Sequence, residues 1–216
     1  MVKKIVKEEV VSVRRILIVF AKEPQKGKVK TRLSRHLSQE GCLKLYKELL
    51  ADTLGRARKI KCSHKVLAYD SASKKPVYLK KIAADFQFYK QEGGDLGERM
   101  FNAFKAYAAP GACVVIIGSD SPNLPLTYIN RAFLELSKRD LVLGPAYDGG
   151  YYLIGLKEPC RKIFKGVKWS CGSVFKETLK RARELKKSTI ILPFWHDIDT
   201  ARDLRYLKQG KFSHAL

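Results

Sequence analysis

A single-domain, three-layer α/β/α sandwich around a mainly parallel, Rossmann-like sheet is the fold predicted by this 216-residue chain. Two observations carry the prediction. Short runs of β-branched and aromatic residues, nearly free of polar interruptions, suit strands buried on both faces. Between them, apolar residues recur every three or four positions, as on helices with one buried face. Strands alternating with helices through right-handed crossovers place the helices on both sides of a parallel sheet.

Taken in order, the strand candidates are RILIVFA (15–21), KVLAYD (65–70), FQFYK (86–90), CVVIIGSD (113–120), DLVLGPA (140–146) and STIILPF (188–194), with YYLIGL (151–156) adding another. Leu43, Tyr46, Leu50, Leu54 and Ala57 mark one helix and Phe101, Phe104 and Tyr107 a second. A third carries Ile129, Phe133 and Leu136, with Thr127 as its expected N-cap. Pro76 suits the first turn of a short helix before Ile82. The domain is expected over 15–210, with a flexible extension at 1–14 and a tail at 211–216.

Composition narrows the function classes. The chain carries 43 Lys+Arg against 21 Asp+Glu, a net charge of +22, which attracts nucleic acid, anionic lipid head groups or phosphorylated small molecules. The basic residues are spread along the whole length and no nucleic-acid-binding signature accompanies them, which disfavours nucleic acid as the partner. Five scattered cysteines form no CxxC pair. No apolar run is long enough to cross a bilayer, and the opening stretch lacks the apolar core of a secretory signal, so a cytoplasmic protein is expected. HExxH and GxSxG are absent, which disfavours zinc-peptidase and serine-hydrolase chemistry.

In open parallel sheets, ligands bind beyond the carboxyl ends of the strands, so the loops after strands matter most. AKEPQKGKVKTRL sets Lys22, Lys28, Lys30 and Arg32 around Gly27, which reads either as a phosphate cradle or as a basic surface turn. QEGGDLGERM brings Gly94, Asp95 and Leu96 to a helix start, where a backbone rich in glycine can approach a flat ligand and Asp95 either contacts that ligand or caps the helix. GSDSPNLP puts Asp120 at the end of a buried strand, as a ligand for a divalent cation or as a turn residue. GPAYDGGYY offers Asp148 as a base toward a polyhydroxylated partner, or forms a tight hairpin. HDIDTARDL supplies Asp197 and Asp199, either as second metal ligands with Asp120 or as caps for the helix ARDLRYLKQ. Trp169 reads as packing that could also wall a pocket.

Five motifs in this order, VFAKEPQKGKVKTRL, GGDLGERM, GSDSPNLP, GPAYDGGYYLIGL and DIDTARDL, resemble the DUF2064 family of glycosyltransferase-like proteins over about residues 15–208. More distantly the chain is similar to molybdenum-cofactor and 2-phospholactate guanylyltransferases. A lysine-rich loop with one glycine stands in place of the LAxGxGxRM loop of typical nucleotidyltransferases. The resemblance implies the GT-A, nucleotide-diphospho-sugar transferase fold. It further implies a nucleotide whose phosphates lie near Lys22, Lys30 and Arg32. Mg²⁺ or Mn²⁺ would sit at Asp120 with Asp197 or Asp199. The expected activity is metal-dependent transfer of a sugar from a nucleotide-diphospho-sugar to an acceptor, with Asp148 and Asp120 catalytic. The alternatives are nucleotidyl transfer from a triphosphate to a phosphorylated acceptor, and a non-catalytic basic module that binds nucleic acid or an acidic membrane.

Overall fold

The computed structural model describes residues 14–70, 75–169 and 171–207. The expected extension, apart from Arg14, and the expected tail lie outside these residues.

β1 (Arg14–Lys22) lies inside a seven-stranded sheet, third from one edge. β2 (His64–Asp70) and β3 (Gln87–Lys90) continue to one side, parallel to it. On the other side lie β4 (Ala112–Gly118), β6 (Tyr151–Leu156), β5 (Leu141–Pro145) and β7 (Thr189–Ile191), in that spatial order. β6 alone is reversed, antiparallel to both β4 and β5. The turn between β5 and β6 therefore opens at the same sheet edge as the carboxyl ends of the parallel strands.

Each strand residue alternates between two cores, as a period of two requires. Leu17, Val19, Val115 and Ile117 meet α1 (Gln39–Arg58), α2 (Val77–Ile82) and α4 (Leu126–Leu136) on one face. Ile16, Ile18, Val114 and Ile116 meet α3 (Leu96–Tyr107), α5 (Arg161–Phe164) and α6 (Val174–Glu184) on the other. Burial on both faces explains why these strands read as unbroken apolar runs. It also explains why a reversed strand such as β6 looks the same in sequence as its parallel neighbours.

Two capping expectations are corrected. α4 begins after Pro125, and no side chain caps it; Thr127 lies inside the first turn. The ring of Pro125 holds φ at −60°, leading into the helix without a side-chain acceptor. Pro76 stands at the N-cap of α2, one position before its first turn, and Glu23 supplies the acceptors, taking Tyr78 N at 2.7 Å and Leu79 N at 3.2 Å. The helix anticipated over ARDLRYLKQ is a 3-10 helix at Ala201–Tyr206, closed by a capping box between Thr200 and Asp203.

Candidate active site

A crevice of about 780 Å³ opens at the carboxyl ends of β1, β2 and β4, and the post-strand loops line it. Lys22, Lys28, Lys30, Arg32 and Leu96 all line it, as do Asp120, Asp148, Asp197 and Asp199. Gly27, Gly94 and Asp95 do not. Gly27 takes a left-handed φ of 72° beside Gln39 and serves the turn. Asp95 caps α3, accepting from Glu98 N at 2.8 Å, and Gly94 N donates to Glu98 Oε2 at 3.0 Å. These residues shape the loop that presents Leu96.

The loop after β4 is clamped from α1. Asn123, at φ 56°, donates its N–H to Asp52 Oδ2 at 3.0 Å, and its side-chain oxygen accepts from Arg56 Nη2 at 3.0 Å. Trp195 Nε1 donates to Pro122 O at 3.0 Å. Asp120 O accepts from Ile198 N at 3.0 Å, joining this loop to HDIDT. Two loops 70 or more residues apart in sequence thus become one rigid acidic wall.

The most consequential contact was not expected. Lys30 adopts φ 50° and sends its ammonium into that wall, where it lies 2.6 Å from Asp120 Oδ1, 3.2 Å from Asp199 Oδ1 and 2.6 Å from Ile198 O. Its side chain is 3% exposed. Asp120 Oδ1 is buried beside this ammonium, while the Asp120 side chain as a whole is 40% exposed. The exposed part of that carboxylate faces the crevice. Burial alone would push the Lys30 ammonium below its ordinary value, but Asp120 and Asp199 more than offset it and hold it above. Lys30 is therefore directed at carboxylates, and Lys22, Lys28 and Arg32 remain as the cations of the β1 loop that border the crevice. Arg32 also approaches Asp199 Oδ2 at 3.6 Å.

Asp197 differs from its neighbours. It accepts from the Ser121 hydroxyl, and burial together with the charges of Asp120, Asp148 and Asp199 pushes its carboxyl up to about 7. Asp148, in the β5–β6 turn, accepts from Gly150 N at 2.8 Å, an Asx-turn geometry, and stays exposed. The turn is fixed by Gly149, whose φ is 89° and whose added Cβ would lie 2.1 Å from Gly172 O.

Among the described residues no three carboxylate, imidazole or thiolate side chains stand close enough to enclose a metal ion. The set Asp120, Asp197 and Asp199 is thus not assembled as a cage, and Asp199 is engaged by two cations. The hard oxygen donors that would be offered to magnesium or manganese are those of Asp120 and Asp197, both on the crevice wall.

Several lining residues carried no recognised signal. Asp70 ends β2 as Asp120 follows β4, and pairs with Arg99 Nη1 at 2.7 Å. Gln91 Nε2 donates to Ala68 O at 2.8 Å, and the Tyr46 hydroxyl accepts from Lys22 N at 2.7 Å and donates to Lys22 O at 3.0 Å. A strand-terminal carboxylate and the arginine of GERM are visible in sequence, but their pairing is not. Trp169 does wall the crevice while packing on Phe164.

The strand order, the reversed β6 and the crevice define the nucleotide-diphospho-sugar transferase fold. The chain belongs to the DUF2064 family, described as an uncharacterized protein conserved in bacteria, whose model matches residues 53–171. A Desulfovibrio desulfuricans G20 protein with the provisional designation nucleotide-diphospho-sugar transferase is 30% identical, with a TM-score of 0.85 over 93% of each chain. The inositol-1-phosphate CTP transferase of T. maritima is 14% identical, with a TM-score of 0.57 over 89% of this chain and 92% of that one. The 4-diphosphocytidyl-2C-methyl-D-erythritol synthase of Anaerococcus prevotii is 10% identical, with a TM-score of 0.57 over 89% and 94%. These two share the fold alone. Comparison with curated proteins gives no match.

Proposed function

We propose that the protein is a metal-dependent transferase that moves a sugar from a nucleotide-diphospho-sugar to an acceptor hydroxyl. The observation that carries the reading is that one crevice gathers Lys22, Lys28 and Arg32 of the β1 loop together with Asp120, Asp148 and Asp197. The cations of the β1 loop balance the donor diphosphate. Asp120 and Asp197 would hold the divalent ion, which would supply charge neutralisation for the departing nucleoside diphosphate. Asp148, exposed in its turn, takes the proton from the acceptor hydroxyl as that oxygen attacks the anomeric carbon. The C–O bond to the diphosphate breaks as the new glycosidic bond forms.

A second reading, nucleotidyl transfer, is favoured by the fold shared with the two cytidylyl-type enzymes and by a β1 loop basic enough for a triphosphate. The reactions leave different products. Incubation with radiolabelled nucleotide-sugars should release nucleoside diphosphate, and Asp148→Asn should keep donor binding by calorimetry while losing turnover by about 100-fold or more. Release of pyrophosphate from a triphosphate, with no nucleoside diphosphate from any nucleotide-sugar, would establish the second reading instead. Unchanged turnover in Asp148→Asn would remove Asp148 from the reaction.

A further inference from the structure

Beside the crevice mouth lies a feature that nucleotide chemistry does not use. Tyr147, adjacent to Asp148, is 68% exposed, and Phe194 is 48% exposed. Their rings stack with centroids 5.5 Å apart, and Phe175 meets Phe194 edge-on at 6.2 Å. The cluster is held rigidly. Tyr147 N donates to Trp195 O at 3.1 Å, Ala146 bridges to Trp195, and Phe175 N donates to Gly149 O at 2.8 Å. Large apolar side chains exposed together mark a contact surface, whereas single ones do not.

The helix that starts at this cluster continues the pattern. α6 buries Val174, Thr178 and Ala182, and its opposite face carries Lys176, Lys180 and Arg183, all exposed and spaced i, i+4, i+7, with a single acid, Glu184, 4.0 Å from Lys180. Aromatic rings flanked by a basic helix face make a surface that matches the boundary between anionic head groups and acyl chains. Nucleic-acid platforms need ring faces open to bases, and here one face of each of Tyr147 and Phe194 is taken up by the other ring. No helix among the described residues is long and apolar enough to span a bilayer, so contact by helices of this kind would be peripheral.

We propose that Tyr147, Phe194 and Phe175, with Lys176, Lys180 and Arg183, form a docking surface for an anionic lipid bilayer, which sets the crevice mouth against the membrane. The membrane is then the source of the acceptor, a step that rests on Asp148 facing the acceptor side.

Flotation of the full chain with phosphatidylcholine vesicles and with vesicles containing 30% phosphatidylglycerol tests this without nucleotide (about a third anionic lipid is enough to set a negative surface potential). Binding should require the anionic lipid. Lys176→Gln/Lys180→Gln/Arg183→Gln should weaken it on the order of 100-fold, and Tyr147→Ser/Phe194→Ser about tenfold, with thermal melts confirming that both variants fold. Equal binding to neutral vesicles, or unchanged binding in either variant, overturns the proposal. So does tighter binding to duplex DNA through the same residues. Failure here leaves the transferase reading intact, and absence of nucleotide binding leaves the vesicle result intact.

Discussion

Replacing Lys30 by Met isolates the contribution of the buried ammonium while keeping an unbranched side chain of similar length. Three oxygens lose their cation: Asp120 Oδ1, Asp199 Oδ1 and Ile198 O. Removing one partner from a fully buried pair costs about 3–5 kcal/mol. The side chains of Asp120 and Asp199, however, are 40% and 32% exposed, so water can resolvate them, and that figure must be discounted for screening. We expect Lys30→Met to lose about 2 kcal/mol, a fall in Tm of about 4–8 °C for a domain of this size. The folded-state pKa of Lys30 is raised, so its stabilisation is fully present below the ordinary value of 10.5 and is lost only as pH rises through the higher folded value. Melts at pH 7.5 therefore see it whole. The two carboxylates left behind should bind cations, so Mg²⁺ should raise the Tm of the variant more than that of the wild-type protein. A Tm unchanged or higher without metal would show that desolvation of the ammonium cancels its attractions, and the reasoning would fail.

Asp197 makes the opposite pH contribution from a salt-bridged acid. Its carboxyl is raised from 3.8 to about 7, so the folded state binds the proton more tightly than the unfolded chain, and stability falls as pH rises from about 4 to about 7. Asp197→Asn should flatten the curve in that window, measured as the difference in denaturant midpoint from wild type. Gly149→Ala should destabilise by about 1–3 kcal/mol, because φ 89° and the approach to Gly172 O both oppose a Cβ; a melt within 1 °C of wild type would contradict this. Arg99→Gln should change stability by less than about 1 kcal/mol, since the pair with Asp70 is a third exposed, yet weaken nucleotide binding measured by calorimetry.

The layers and most strand positions were legible because burial on both faces leaves a continuous apolar signature, as in RILIVFA and CVVIIG. The direction of β6 was not, since that signature is blind to polarity: YYLIGL has the same pattern whichever way it runs. The post-strand loops announced a site through glycine, proline and charge, and Asp120, Asp148, Asp197 and Asp199 do line one crevice. Which of two uses each residue serves could not be read locally. Asp95 reaches only Glu98, three residues on, whereas Lys30 reaches Ile198 across 168 residues. Contacts of the first kind follow from a capping pattern; those of the second depend on how two loops meet after the sheet has formed.

The hairpin between β5 and β6 separates two kinds of change. Crossover helices follow β1, β2, β3 and β4, so lengthening one of their loops moves elements that also line the crevice. The tip at Ala146–Gly150 carries no crossover helix; it is closed by the Ala146 N–H to Gly150 O bond of 3.0 Å and tied to its neighbours by Tyr147 N to Trp195 O at 3.1 Å and Phe175 N to Gly149 O at 2.8 Å. Exchange of Tyr147, whose side chain is exposed, therefore alters the rim of the crevice without moving the strands that form it. A substitution at the tip thus probes the rim alone, whereas one in a crossover loop disturbs the rim and the sheet together.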